Sequence, residues 1–414
     1  MRYKIFKVPN YVKIYPIVYF FFYLAVGIIT PVQIIFFRHI GLSLFQIGLV
    51  STILETSIMI FEIPTGYIAD KLGRNISVIC SFISFIIAGA IFLCFQNVYG
   101  VAIGTFIQGI GYTCVSGAFE AWSIDKLISN GNKKDTDKLI VSATQSRRIG
   151  FLIGSITGGY FGLKLINTAW MSYILINVVC LILVVIFMKE NKDNICNIHD
   201  DDDDEGSVFS RFFLIDSNII ISFIIILGIV SVLHEFSISP VDEYWTVFFT
   251  ENLKIPDFWL GWVIASGEVL IVIFVAPIVT FLMKKFGAIN ALKGITIFVV
   301  FSVLLLAISG NPVLAIAFYI VFKFSLGIYE PIQATYINSI VKGEYRATIL
   351  SIYSMLGAIG EIISGVAIGF ISEATSIRIA FMISAIGFSV IIVLLKILNS
   401  IEKSGKYNSK VSMK

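Results

Sequence analysis

Long uninterrupted apolar segments constrain the fold of this chain more than any other feature. Residues 76–95 read ISVICSFISFIIAGAIFLCF and contain no charged side chain. A helix rises about 1.5 Å per residue, so about 20 such residues cross the roughly 30 Å of hydrocarbon in a bilayer. Backbone groups in hydrocarbon must be hydrogen-bonded internally, and runs of this length exceed the strands of a membrane barrel. The sequence therefore predicts an all-α membrane protein.

The composition of the whole chain supports the same class. Apolar residues make up 57% and charged residues 14% of the sequence, whereas about 25% of residues are charged in an average soluble domain. The net charge of +3 is small and gives no reason to expect a nucleic-acid partner. The lipid bilayer is the predicted surrounding.

Twelve apolar windows separated by short polar turns predict twelve transmembrane helices. The first six windows are residues 14–37, 44–68, 76–95, 98–124, 139–162 and 168–188. The second six are residues 217–240, 257–283, 288–309, 312–340, 348–371 and 376–398. This spacing predicts an N-terminal six-helix bundle over 1–188 and a C-terminal six-helix bundle with a short cytoplasmic tail over 217–414.

Residues 189–216 form a polar segment between the two groups of windows. Five aspartates, Asp200 to Asp204, are followed by Glu205, and the segment has too little apolar content to fold alone. We expect a solvated cytoplasmic linker; binding of a divalent cation by this run is the alternative.

The distribution of lysine and arginine predicts the orientation of the chain in the membrane. With both termini inside, 25 of the 30 basic residues lie in cytoplasmic segments, four lie in outer loops, and Lys323 lies within the tenth span. Positive charge is retained on the cytoplasmic side of membrane proteins. The predicted location is the plasma membrane, with several spans and cytoplasmic N and C termini.

The two halves also share a glycine pattern. Gly150, Gly158 and Gly162 of the fifth predicted span correspond to three glycines of the eleventh, Gly357, Gly365 and Gly369, at one constant offset. Weak internal symmetry of this kind is typical of transporter folds built from repeats. The two bundles are therefore predicted to be pseudo-symmetric.

The turn between the second and third spans carries a motif, Gly66-Tyr-Ile-Ala-Asp70-Lys71-Leu-Gly73-Arg74. It resembles the signature loop of the major facilitator superfamily, Gly-x-x-x-Asp-(Arg/Lys)-x-Gly-Arg, although Asn75 replaces the basic residue that follows. We expect Gly66 to allow close helix approach and Gly73 to allow a tight turn. The resemblance implies a cytoplasmic gate in which Asp70 and Arg74 act with the eleventh span; the alternative is that these charges only anchor the loop.

A second motif lies in the fifth span, where Gly150, Gly154, Gly158 and Gly159 resemble the antiporter motif of drug-exporting members, with Ser155 in place of its proline. Glycines at this spacing also serve close packing of membrane helices. In the fourth span, Thr105 stands where the family has an arginine.

Ionisable side chains within predicted spans are the candidates for substrate binding or proton coupling, because charge at membrane depth is costly. They are Glu55, Glu62, Glu120, Arg148, Glu235, Glu268, Lys323, Glu330 and Glu361. Glu55 and Glu62 are seven residues apart, as are Lys323 and Glu330, so each pair shares a helix face. The resemblance implies a central cavity lined by the first, fourth, seventh and tenth spans. A buried carboxylate that exchanges a proton for a cation suits proton coupling.

Three of these groups have specific interpretations. Lys323 needs a counter-charge, for which Glu268 or Glu361 is expected. Glu120 and Arg148 form a structural pair or take part in transport. His234 is expected near the outer surface, where it is as likely to be a solvated histidine as a functional one, and His234-Glu235 does not continue into a zinc-binding HExxH pattern.

No catalytic or metal-binding pattern occurs in the sequence, which has no Walker loop, nucleophile elbow or CxxC pair. We therefore expect neither an enzyme nor a cofactor. The residues and the resemblance together predict a secondary transporter, with proton-coupled efflux of a drug or metabolite favoured over proton-coupled uptake. A receptor or membrane enzyme is the third hypothesis. Substrate, direction, coupling ion and oligomeric state are not specified by the sequence.

Overall fold

The structure, a computed structural model, describes residues 12–161, 165–189, 218–340 and 346–403. Every regular element over these ranges is helical, which confirms the predicted all-α class. The helices of the first half are α1 (Ile14–Ile29), α2 (Gln33–His39), α3 (Leu44–Leu72), α4 (Arg74–Cys94), α5 (Val98–Val115), α6 (Ala118–Ser129), α7 (Thr136–Phe161) and α8 (Ile166–Phe187). Those of the second half are α9 (Asn218–Val247), α10 (Phe258–Phe286), α11 (Ala288–Ile308), α12 (Pro312–Ile340), α13 (Arg346–Ala374) and α14 (Ile377–Lys403).

Eleven helical segments among the described residues are long and apolar enough to cross a membrane. The helices α1 and α2 count together as one segment, and α5 and α6 as another. The remaining predicted span corresponds to α7, whose mean hydropathy is lowered by polar residues such as Arg147 and Arg148. The acidic linker from residue 190, Gly162 and the C-terminal tail after Lys403 lie outside the described residues.

The seventh predicted span ends too early in the sequence analysis. The predicted window ends at residue 240, whereas α9 continues through Pro240 to Val247. The next five residues, Phe248–Asn252, form a π-helical turn. Helices in membranes tolerate an internal proline where neighbouring groups compensate for the missing donor. The span therefore contains residues 241–252, Asp242 among them.

The described helices form two compact units. Unit 1 draws its described residues from Met1–Ser43, Ile53–Asp200 and Ile255–Ala265, and unit 2 from Leu44–Thr52, Asp201–Lys254 and Ser266–Lys414. The start of α3 thus packs within unit 2, and the start of α10 packs within unit 1. The division into bundles at 188 and 217 remains a prediction.

Candidate functional site

An ion pair joins two membrane-spanning helices of unit 2. Lys323 Nζ of α12 lies 3.1 Å from both carboxylate oxygens of Asp242 in α9. The side chains are 36% and 37% exposed, so the pair borders open space. The sequence analysis names Glu268 or Glu361 as the counter-charge. The structure corrects this to Asp242, which lies two residues beyond the end of the predicted window. Glu268 acts electrostatically on the Lys323 ammonium.

Further carboxylates accompany this ion pair. Glu330 is exposed and interacts electrostatically with Lys323, Asp242, Glu235 and His234. One helix face of α12 therefore presents both Lys323 and Glu330, as their spacing predicts. Unit 2 concentrates opposite charges within a group of spanning helices, where each uncompensated charge is costly.

His234 does not lie at a solvated surface, which corrects the expectation from sequence. Its side chain is buried, and its Nδ1 atom is 3.1 Å from Glu235 Oε1. The error has the same cause as the omission of Asp242. Because the candidate span runs from Ile225 to Asn252, His234 lies well inside it rather than near its outer end.

Two charged groups of unit 1 lie against tyrosines of α1. The hydroxyl of Tyr15 donates to Glu120 Oε2 at 3.3 Å. Arg147 lies over the ring of Tyr23, with its guanidinium carbon 5.0 Å from the ring centroid. Sequence analysis missed these tyrosines, although their spacing of four, with Tyr19 between them, places them on one helix face. Tyr15 is a partner of Glu120 that the sequence analysis did not name.

The remaining candidates lie as follows. Glu55, Arg148, Glu268 and Glu361 are partly buried, and Glu62 is exposed. Glu55 and Glu62 both belong to α3, and Glu361 belongs to α13. The structure does not bring all nine candidates into one cluster within either unit, since Glu55, Glu62, Glu120 and Arg148 belong to unit 1.

The motif at the turn between α3 and α4 differs in part from its sequence interpretation. Gly73 has a φ of 110°, so it makes the tight turn that the motif predicts. Gly66 faces open space, because no described atom lies within 4 Å of the position of an added Cβ, and the expected close helix approach is absent there. Arg74 forms an ion pair with Asp125 of α6, while Asp70 and Lys71 are exposed.

The glycines of α7 pack directly on the backbone of α1. A Cβ atom at Gly150, Gly154 or Gly158 would stand 2.2, 2.3 and 2.1 Å from the carbonyl oxygens of Phe20, Leu24 and Ile28, respectively. Each distance is far below a van der Waals contact, so no larger residue fits without displacing backbone. These glycines therefore hold α7 beside the spanning helix α1.

Glycines also allow close backbone approach at the starts of α3 and α10. A Cβ at Gly48 would lie 2.1 Å from the carbonyl oxygen of Gly365 in α13, within unit 2. A Cβ at Gly261 would lie 2.1 Å from the carbonyl oxygen of Ser155, and Gly159 faces Gly261, within unit 1. Each unit therefore contains one close backbone contact between the start of a spanning helix and a glycine-rich helix.

Comparison with known proteins agrees with this architecture. The sequence profile described as Major Facilitator Superfamily matches residues 17–365 and, in an overlapping second match, 244–411. The uncharacterized MFS-type transporter YxaM of Bacillus subtilis (strain 168) is 26% identical over 392 residues, which cover 92% of this chain and 94% of YxaM. The uncharacterized transporter BU466 of Buchnera aphidicola subsp. Acyrthosiphon pisum (strain APS) is 27% identical over 326 residues, 76% of this chain and 77% of BU466.

Solved structures share the fold. The nucleoside transporter NupG superimposes with a TM-score of 0.77 at 15% identity, covering 95% of this chain and all of NupG. A POT family transporter in complex with a thioalcohol conjugated peptide superimposes with a TM-score of 0.75 at 14% identity, covering 97% and 98% of the two chains. These findings confirm the predicted fold class, an all-α membrane protein with twelve transmembrane helices in two six-helix bundles.

Proposed function

The chain belongs to the major facilitator superfamily, and we propose that this membrane transporter is a secondary transporter that couples the movement of a small molecule to that of protons. The observation that carries the proposal is the ion pair between Lys323 and Asp242, which lies within two spanning helices. A partly exposed ion pair at this depth has little value for stability alone, because desolvation offsets much of the Coulomb attraction. Such groups mark ion pathways in membrane proteins.

The pair can couple a proton to a conformational change in a simple way. Protonation of Asp242 removes its negative charge and releases Lys323 from the hydrogen bonds. The ammonium then needs another partner, for which Glu330 or Glu268 is in electrostatic reach. Proton binding thereby changes which helices are held together, and a cationic substrate that displaces the proton reverses the change.

We favour export by antiport, since the α7 glycines resemble the motif of drug-exporting members. Lipophilic or cationic drugs and metabolites are the proposed substrates. Proton-coupled uptake is the second candidate, because the same carboxylates serve either direction and because solved transporters with this fold include a nucleoside transporter and a POT family transporter bound to a peptide conjugate.

Everted vesicles that contain a pH-sensitive dye separate the two candidates. A panel of organic cations, nucleosides and short peptides is added outside, without an imposed gradient. Antiport should raise the lumenal pH, because protons leave as substrate enters, whereas symport should lower it. Vesicles that contain Lys323→Gln are the matched control and should give no signal. A substrate that enters without any proton movement in either direction would refute proton coupling.

A further inference from the structure

A row of three tyrosines on α1 gives unit 1 an aromatic surface that the proposed ion pair does not use. Tyr15, Tyr19 and Tyr23 are spaced by four residues, and the centroids of neighbouring rings lie 4.4 and 5.7 Å apart. The row extends about 12 Å along the helix, since eight residues separate its ends. Tyr15 is buried, whereas Tyr19 and Tyr23 are partly exposed. Part of two rings is therefore accessible to a ligand.

Buried phenylalanines hold these tyrosine rings in place. The ring of Phe119 in α6 lies 5.0 Å from that of Tyr15 and 5.9 Å from that of Tyr19, measured between centroids. Phe22 meets the Tyr23 ring edge to face at 5.2 Å. Both phenylalanines are fully or almost fully enclosed. Side chains that are already ordered lose little conformational entropy when a flat ligand stacks on them.

Opposite charges stand at the two ends of the tyrosine row. At one end, the Tyr15 hydroxyl donates to the Glu120 carboxylate of α6 at 3.3 Å. At the other end, the guanidinium carbon of Arg147 in α7 lies 5.0 Å from the centroid of the Tyr23 ring. Both charges act electrostatically on Tyr19, which lies between them. Three helices of unit 1 thus place an anion, an aromatic surface and a cation in one line.

These two charges are not neutralised by ion pairing within the described part of the chain. Neither Glu120 nor Arg147 forms a salt bridge with a residue in 12–161, 165–189, 218–340 or 346–403, and they do not pair with each other. Both belong to spanning segments, where an uncompensated charge is costly and marks a substrate or ion pathway. A ligand with one cationic and one anionic group compensates both charges at once.

We propose that the tyrosine row, with Glu120 and Arg147, binds a zwitterionic aromatic ligand. Glu120 holds the cationic group, Arg147 holds the anionic group, and the ligand ring packs on Tyr19 and Tyr23. The two ionic contacts are charge-assisted hydrogen bonds, and tyrosine rings attract both aromatic groups and cations. That this ligand is the transported substrate rests on the proposed function, whereas binding itself does not.

Four small probes test the proposal on the wild-type protein in lipid nanodiscs. In para-aminomethylbenzoate, the two charges lie on opposite sides of an aromatic ring; para-methylbenzylamine lacks the carboxylate, and para-methylbenzoate lacks the ammonium. The trans-cyclohexane analogue of the first probe keeps both charges without an aromatic ring. Isothermal titration calorimetry should show the aromatic zwitterion binding about tenfold or more tightly than each singly charged probe. It should bind about two- to tenfold more tightly than its cyclohexane analogue.

Variants assign each preference to a side chain. Arg147→Gln should abolish the preference for the zwitterion over para-methylbenzylamine but keep the preference over para-methylbenzoate, because only the carboxylate contact is lost. Glu120→Gln should have the converse effect. Tyr19→Leu should remove the preference for the aromatic ring, whereas Tyr19→Phe should keep it. Lys138→Gln in α7 and Asp125→Asn in α6 are the matched controls, with side chains 44% and 56% exposed, and should bind every probe like the wild type.

Thermal melts verify that each variant is folded, and the four probes on wild-type protein test the proposal without any variant. Equal affinities for the zwitterion and the singly charged probes overturn the proposal, as does the absence of zwitterion binding. An Arg147→Gln variant that keeps the carboxylate preference also overturns it. Proton movement is measured separately in the vesicle assay, so failure of proton coupling is distinguishable from failure of this site.

Discussion

Lys323 and Asp242 are 81 residues apart in sequence and face each other from two helices, with the Lys323 ammonium 3.1 Å from both carboxylate oxygens of Asp242. Asp242→Asn leaves Lys323 without its hydrogen-bonded counter-charge. Insertion scales put a lone charge in mid-membrane at about 2.5–3.5 kcal/mol, and partial exposure lowers this cost. We expect a lower melting temperature for Asp242→Asn and for Lys323→Gln, and recovery of most of the loss in the double variant.

The matched control for this comparison of single and double variants is the surface pair of Lys138 and Asp135, in which the side chains are 44% and 24% exposed. Asp135→Asn should change the free energy of unfolding by less than about 1 kcal/mol, because exposed ion pairs contribute little. If the losses in Asp242→Asn and Lys323→Gln simply add in the double variant, the two side chains do not stabilise each other.

The second prediction concerns the contact between α1 and α7. Gly154→Ala places a Cβ atom 2.3 Å from the Leu24 carbonyl oxygen, and both partners are backbone that cannot rotate away. Overpacking of this kind typically costs about 1–3 kcal/mol. Thermal melting monitored by tryptophan fluorescence should show a clear decrease for Gly154→Ala. Gly294→Ala in α11, where the added Cβ meets no atom within 4 Å, should melt like the wild type or slightly higher.

The third prediction concerns the turn between α3 and α4. We expect Asp70→Asn to slow transport while expression and substrate binding are retained, since the family resemblance implies a gate there. Asp125→Asn removes the ion partner of Arg74, whose side chain is 23% exposed, and should change stability by less than about 1 kcal/mol. Transport rates and substrate-binding isotherms in proteoliposomes test Asp70→Asn, and thermal melts test Asp125→Asn. A normal transport rate in Asp70→Asn contradicts the gating role.

The fourth prediction concerns orientation. In a cysteine-free background, cysteines introduced at Asp203 and Lys410 should resist an impermeant thiol reagent applied to intact cells, because the distribution of basic residues places both inside. A cysteine at Gln96, in the turn between α4 and α5 that the same topology places outside, should react and is the positive control. Reaction at Asp203 or Lys410 in sealed cells would show the reverse orientation.

The helices could be predicted from the sequence because hydrocarbon demands long apolar runs, and the bounds of α11 and α12 differ from the predicted windows by at most one residue. The end of α9 could not be predicted in this way. The apolar run is interrupted by Asp242 and Glu243 just after residue 240. Whether a spanning helix continues past such charges depends on neighbouring helices that the local sequence does not reveal.

Side-chain pairing was harder to predict for the same reason. Lys323 was identified as a charge in need of a partner, but Asp242 became available only once α9 was seen to extend. The pairing of Tyr15 with Glu120 spans 105 residues and depends on which faces of two helices meet. The glycine contacts of α7 were better specified, because their spacing of four itself defines a helix face.

The most direct test of the account measures coupling at the Lys323–Asp242 pair. With a substrate from the vesicle panel, wild-type protein in proteoliposomes with an imposed pH gradient should accumulate that substrate uphill. Asp242→Asn and Lys323→Gln should lose uphill accumulation yet retain downhill exchange, because substrate can still bind when the proton-responsive pair is gone. Accumulation at the wild-type level by both variants across the pH range would contradict the central claim.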